Sequence, residues 1–230
     1  MLFRFVLKVF YSNVIVEGQE HLTEDGINCM LCSNHVNSLT DALLLVTTVK
    51  RRSILRLTAK ATQFNRGTFT SWLIGSSGAL PIERPKNYAG RPVDNAVVFR
   101  TLIKALQQGD AVLIFPEGKS WYYPSLAPMK QGVARIVSDV LSQQKDNPTF
   151  ELAIQTCSIT CAFQYCVHRP FANDLLKILD LHRNLFRSDV LVTFHPPIVV
   201  SAATHPELLL SLILISEPTG PDQGWCDVFR

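Results

Sequence analysis

Charge is scarce in this chain. Only 18% of its 230 residues are Asp, Glu, Lys or Arg, against roughly 25% in ordinary soluble domains. The 22 basic and 19 acidic residues leave a formal charge of +3, too small a footprint for a nucleic-acid binder. No stretch reaches about 18 uninterrupted apolar residues, so no ordinary transmembrane helix is encoded. Six cysteines at irregular spacings are too few for a disulfide framework. Internal repeats and low-complexity blocks are absent as well. With 47% apolar residues and a mean hydropathy of +0.15, disorder, coiled coil and collagen are excluded. The length suits one α/β domain with a real core. Low charge in such a domain points to a membrane or partner surface.

The first residues carry that property furthest. Met1–Val16 is interrupted by charge only at Arg4 and Lys8. No small-residue cleavage site follows, because the next residues are Glu17-Gly18-Gln19-Glu20, and a secretory signal is a poor reading. Residues 1–18 are expected to form an amphipathic helix lying in a membrane interface.

Beyond it, apolar runs alternate with helical periodicity. Strands are expected at Asn28–Cys32, Ile54–Ala59, Ala79–Ile82, Ala111–Phe115, Leu152–Phe163 and Val190–Thr193. Helices are expected at Leu39–Val49, at Asp94–Gln108 before Gly109, and at Met129–Leu141, with a further helix opening at Pro206. That alternation predicts an α/β fold: a single domain over 19–200, with a mixed sheet flanked by helices. Residues 201–230 read as a tail, and the aperiodic Ser216–Arg230 resembles read-through of adapter sequence.

The cysteines carry little chemistry. Cys29 and Cys32 form a C-x-x-C, and Cys157, Cys161 and Cys166 gather loosely with His168. Most of them alternate along apolar strands, so reduced cysteines filling a core is the better reading, with no metal expected. A zinc-binding module is the rival that these residues leave open.

Three places offer more. His35 and Asp41 sit where an apolar strand gives way to a Leu-rich helix, the position at which α/β folds hold functional residues. Six positions of ideal helix turn through about 600°, leaving two side chains roughly 120° apart. The pair therefore converges only if His35 lies in the turn before the helix. An Asp on one ring nitrogen would then orient the imidazole and leave the other nitrogen as a base. G-x-S-x-G is absent, so no serine nucleophile accompanies the pair. Such a base must deprotonate something brought from outside, and a substrate hydroxyl is the natural candidate. The second place is Phe115-Pro116-Glu117-Gly118-Lys119-Ser120, which fails as a Walker A loop because position 113 is Leu113. The third is Gly78–Arg84, whose arginine is suited to bidentate grip on a phosphate.

In this order and at these distances, the three segments resemble the glycerolipid acyltransferase family. Asn34–Asp41 is similar to its His/Asp motif, with five intervening residues where four are usual, as in the glycerol-3-phosphate and dihydroxyacetone-phosphate branch. Gly78–Arg84 resembles the acceptor-phosphate motif, Phe115–Ser120 the FPEG-x-S motif, and Leu126–Gly132 the segment after it. Ile154–Phe163 resembles a fourth motif, with Thr156 in place of a proline, and Arg187–Val200 the strand and Pro-Pro turn that follow. The resemblance implies transfer of a fatty acyl group from acyl-CoA to the hydroxyl of glycerol 3-phosphate or dihydroxyacetone phosphate. It gives His35 the role of base and Asp41 that of its partner. Arg84, Glu117, Gly118, Ser120, Lys60 and Lys130 become the acceptor-binding residues. It implies no cofactor beyond the co-substrate acyl-CoA, a lipid surface as partner, and a place on the cytosolic face of the endoplasmic reticulum, or the inner membrane of a bacterium. The alternatives are a lysophosphatidate acyltransferase and a truncated, inactive membrane-binding remnant.

Overall fold

The structure, a computed structural model, describes residues 2–50, 55–84, 87, 89, 93–120, 127–161 and 188–209. Its elements run α1 (Leu2–Phe10), β1 (Tyr11–Glu17), β2 (Cys29–Ser33), α2 (Leu39–Thr48), β3 (Leu55–Lys60), α3 (Phe69–Ser76), β4 (Leu80–Ile82) and α4 (Ala96–Gln107). They continue with β5 (Ala111–Ile114), α5 (Gly132–Gln143), β6 (Leu152–Cys161), β7 (Ser188–Phe194) and β8 (Ile198–Val200). Among the described residues the strands form one eight-stranded mixed sheet in the order β1-β7-β6-β2-β5-β3-β4, with β8 also on β6.

Strand periodicity divides the core between the two faces. On β2, Leu31 points to one face while Met30 and Cys32 point to the other; on β5, Leu113 and Val112 divide in the same way. The first face packs against α1, α2 and α3 through Leu7, Leu43, Leu45 and Ile74. The second packs against α4 and α5 through Leu102, Leu106, Ile136 and Val140. The helices thus cover both sides of the central strands, which is why those strands read as continuous apolar runs.

The N-terminal segment differs from the expected single helix. Helix ends at Phe10, and Tyr11–Glu17 forms an edge strand parallel to β7, with Val14 opposite Val190 and Val16 opposite Val192. The β-branched run Val14-Ile15-Val16 suits a pleated edge better than a helix. Residues 11–17 are therefore part of the sheet, and α1 alone is left as a surface helix. Its Leu7 is buried, whereas Phe5 is 67% exposed.

The other expected elements form with small shifts of boundary, α5 beginning at Gly132 rather than Met129. Phe69–Ile74, whose sequence fits either a short helix or a loop, lies in helix α3, which runs on to Ser76 and is capped by the Thr68 hydroxyl accepting from Ser71 N–H at 3.2 Å. A helical turn follows Pro206, and its Leu208 and Leu209 pack on the second core. The C-terminal portion of the expected tail, Ser216–Arg230, lies outside the described residues, as do Cys166 and His168.

Strand direction positions the site. β6, β2, β5, β3 and β4 all run parallel to one another. Their C-terminal ends therefore share one edge of the sheet. His35 follows β2, Lys60 ends β3, Arg84 follows β4, and Phe115–Ser120 follows β5. One edge thus collects the three segments that carry the candidate site residues, with Lys60 beside them, as the carboxyl-end rule for α/β sheets leads one to expect.

Candidate active site

The chain leaves β2 at Ser33 and turns before entering α2. In that turn Asn34 is pinned to β6 by both ends of its amide: Oδ1 accepts from Ile159 N–H at 2.7 Å and Nδ2 donates to Ile159 O at 2.9 Å. Ser38, at φ 50°, folds the backbone back on itself just ahead of the helix. The turn lets His35 face the first turn of α2. Its Nδ1 lies 3.0 Å from Asp41 Oδ2.

Asp41 is fully buried and accepts a second bond to Oδ2, from Asn37 N–H at 2.6 Å. Its other oxygen, Oδ1, is buried with no hydrogen-bond partner among the described residues. A buried carboxylate left part-satisfied is a cost that folds keep chiefly at functional sites. With Nδ1–H directed at Asp41, Nε2 is the nitrogen left to accept a proton. Behind the carboxylate stands Tyr11, whose hydroxyl donates to Thr40 Oγ1 at 3.3 Å and accepts from Asn37 Nδ2 at 3.4 Å. Burial, with a smaller contribution from the nearby Asp41 charge, raises the Tyr11 pKa above its ordinary value, so the phenol stays a neutral donor.

Two contacts from the β5 turn complete the mounting of His35. Phe115 stacks on the imidazole with ring centroids 4.1 Å apart and planes 17° from parallel. Glu117, only 4% exposed, spans two backbone segments: Oε1 accepts from His35 N–H at 3.1 Å and Oε2 from Ala127 N–H at 3.4 Å. Glu117 was expected to shape the acceptor pocket, but its side chain is not part of the cavity wall. It ties the catalytic turn to the segment before α5.

His35 opens onto a cavity of about 460 Å³. The other expected residues Arg84, Lys60, Gly118, Ser120 and Lys130 line it, and so does Lys119. No Asp or Glu is in its wall among the described residues. The rest is mainly apolar, with Leu39 and Ala42 from α2, Ile74 from α3, Phe99 and Leu102 from α4 and Ile136 from α5. Gly118 has φ +64°, and a Cβ built there would sit 3.1 Å from Lys130 Cγ. Glycine thus lets the lysine stem lie across the turn, where Lys130 N–H bonds Pro116 O at 2.8 Å. Arg84 is half-buried, and loss of hydration lowers its pKa from the ordinary value. Its guanidinium has no hydrogen bond or ion pair among the described residues. A half-buried cation in a cavity whose described wall holds no carboxylate is chemically suited to an anion.

Among the described residues no cysteine is in the cavity wall, although Cys161 Sγ accepts from Asn37 Nδ2 at 3.6 Å. Cys29, Cys32 and Cys157 are buried on β2 and β6, and burial pushes the thiols of Cys32 and Cys157 up to about 12. Thiols so placed stay protonated and unreactive near neutrality. Among the described residues no group of three or more His, Cys, Asp or Glu could hold a metal ion.

Sequence reasoning reached the His–Asp pair, the cations and the glycine turn. It assigned no role to Phe115, whose contact with His35 depends on β2 and β5 being neighbours. It also passed over Asn34 and Asn95, asparagines whose only signal was their place beside a strand end or helix start.

Among the described residues, a mixed sheet thus presents a buried His–Asp pair to a cleft that is both cationic and apolar. The family model described as acyltransferase matches residues 13–160, and the chain belongs to that family, the glycerolipid and phospholipid acyltransferases. Over 108 residues it is 32% identical to glycerol-3-phosphate O-acyltransferase 2 of Saccharomyces cerevisiae. The aligned part is 47% of this chain and 12% of that protein, so the chain corresponds to a small portion of the yeast relative. The fold is similar to the crystal structure of the 1-acyl-sn-glycerophosphate (LPA) acyltransferase PlsC of Thermotoga maritima. The TM-score is 0.54 and the identity 16%, over 95% of this chain and 78% of that one. At that identity the likeness is one of fold.

Proposed function

We propose that the domain moves a fatty acyl group from acyl-CoA to a free hydroxyl of a phosphate-bearing glycerol acceptor. The observation that carries this reading is the His35–Asp41 pair at the wall of one cavity that holds both cations and apolar surface. His35 Nε2 takes the hydroxyl proton as the acceptor oxygen adds to the thioester carbonyl. The negative Asp41 carboxylate, 3.0 Å from Nδ1, stabilises the imidazolium that forms. Collapse of the tetrahedral adduct expels the CoA thiolate, which recovers the proton from Nε2. No acyl-enzyme forms, since the acceptor itself is the nucleophile. Arg84, with Lys60 and Lys130, offsets the acceptor's phosphate charge, while Gly118 and Ser120 shape the turn beside it.

A monoacylated acceptor, lysophosphatidate or a close relative, fits this cleft best. Its apolar walls, from Leu39 and Ile74 to Phe99 and Leu102, suit the acyl chain of such an acceptor as well as that of the acyl-CoA donor, and the fold is shared with an LPA acyltransferase. The second reading is glycerol 3-phosphate or dihydroxyacetone phosphate, and the likeness to the yeast glycerol-3-phosphate O-acyltransferase supports the first of these. Labelled acyl-CoA offered with each acceptor in turn separates them. Lysophosphatidate should be acylated fastest. Faster use of glycerol 3-phosphate would favour the second reading, and turnover with neither would sink both.

The domain, residues 19–200 with strand β1 and helix α1 before it, is proposed to work at a membrane surface, on the cytosolic face of the endoplasmic reticulum in a eukaryotic cell. Among the described residues no helix is long and apolar enough to cross a membrane. Helices α1 and α3 pack on the same face of the sheet as α2. There they expose Phe5, Phe69 at 40% and Trp72 at 55%, beside the exposed cations Arg4, Lys8 and Arg66. Aromatic rings among cations suit an anionic lipid interface. Replacing Phe5, Phe69 and Trp72 together by serine should weaken sedimentation with anionic vesicles by roughly tenfold or more, because each ring withdraws from lipid. The melting temperature should change little, since these rings are exposed. Unaltered sedimentation would remove this face from the lipid contact.

A further inference from the structure

Arg84 follows an edge strand of the described sheet. Among the described residues β4, three residues long, pairs only with β3, through Thr58 with Leu80, Ala59 with Pro81 and Lys60 with Ile82. Ladder bonding stops at Ile82, and the next backbone unit, Glu83, must find other partners. Both come from one side chain. Asn95 Oδ1 accepts from Glu83 N–H at 2.9 Å, and Asn95 Nδ2 donates to Glu83 O at 3.0 Å. The amide imitates a neighbouring strand and prolongs β4 by one residue.

Asn95 makes this contact in place of the role its position offers. It stands at the N-terminus of α4, where asparagine ordinarily caps the helix, yet its side chain caps nothing. The exposed Asp94 instead accepts from Ala96 N–H, at 2.8 Å. α4 is the helix that supplies Phe99 and Leu102 to the cavity wall. The clamp therefore fixes the residue immediately before Arg84 to the helix that forms one side of the pocket.

We propose that Asn95 is a positioning residue for anion binding: it holds the backbone at Glu83 so that the Arg84 guanidinium stays in the cavity. The inference rests on the reading of Arg84 as the acceptor-phosphate ligand, and it adds a residue that touches neither substrate. A guanidinium grips phosphate through a rigid fork, so a swing of the backbone by a fraction of an ångström at Glu83 misdirects both of its bonds.

The test is steady-state kinetics of the full chain carrying Asn95→Ala, Asn95→Asp, Arg84→Ala and the Asn95→Ala/Arg84→Ala pair, with inhibition by inorganic phosphate measured for each. Asn95→Ala should raise the KM for a phosphate-bearing acceptor, and the inhibition constant of phosphate, by about tenfold, with the KM for acyl-CoA unchanged. Asn95→Asp should do at least as much damage, because the carboxylate still accepts from Glu83 N–H but sets an acceptor oxygen against Glu83 O in place of the donor. Added to Arg84→Ala, Asn95→Ala should cost nothing more, since a residue acting through another is silent once that residue is gone. Additive losses, or an equal rise in both KM values, would overturn the proposal and make Asn95 a general structural brace. If Asn95→Ala does not fold, the Asp variant and its phosphate inhibition decide the same point. Normal acceptor KM in Arg84→Ala would instead overturn the underlying assignment of Arg84. A raised KM there with none in either Asn95 variant would leave that assignment standing and sink the clamp alone.

Discussion

Replacing His35 by alanine is expected to lower kcat by about 10²–10⁴-fold, the usual contribution of a positioned general base. The fold should survive, because Asp41 remains bonded to Asn37 N–H and α2 is anchored by Leu43, Leu44 and Leu45. Asp41→Asn tests the partner. An amide in place of Oδ2 can present N–H to Nδ1 and favour the tautomer that puts the ring proton on Nε2, where the base is needed. A loss of roughly 10⁴-fold accompanies that error where it has been made in a comparable pair. Rates are to be measured with saturating acyl-CoA and acceptor, alongside circular dichroism to establish folding. A folded His35→Ala protein that turns over normally would end the general-base mechanism.

The six-residue spacing of His35 and Asp41 already required the histidine to stand outside the helix, and it does. The sheet was legible because its central strands are buried on both faces and read as unbroken apolar runs, Ala111–Ile114 being the plainest. β1 was not legible. Residues 1–16 are apolar nearly throughout, so periodicity alone marks no boundary, and the β-branched run Val14-Ile15-Val16 acquires its meaning only from Val190 and Val192 alongside. Tertiary neighbours also explain what was missed in the site. Glu117 faces the His35 backbone rather than the cavity, and Asn95 grips Glu83 twelve residues away. Both are long-range hydrogen bonds of polar side chains, and nothing in local spacing announces the partner. The motif residues were found; which way they point was set by the packing around them.

Arg84→Ala should raise the KM for a phosphate-bearing acceptor by about 30-fold to several thousandfold. That is what losing about 2–5 kcal/mol amounts to when one partner of a desolvated charge pair is removed. The geometry favours an effect of this size over the small one expected of a surface arginine. Arg84 is half-buried, its hydration is already reduced, and no carboxylate of the described cavity wall competes for it. Lys60 ends the strand paired with β4, directly opposite Ile82 in the ladder, and supplies charge to the same wall. Some affinity for phosphate therefore remains in the variant. Arg84→Lys should recover only part of the loss, since a point charge cannot reproduce the guanidinium fork. An unphosphorylated acceptor, poor with the native protein, should be nearly indifferent to either change. The comparison is of acceptor KM against acyl-CoA KM in each variant. Equal damage with phosphorylated and unphosphorylated acceptors would make Arg84 a structural residue and leave the acceptor's phosphate to Lys60, Lys119 and Lys130.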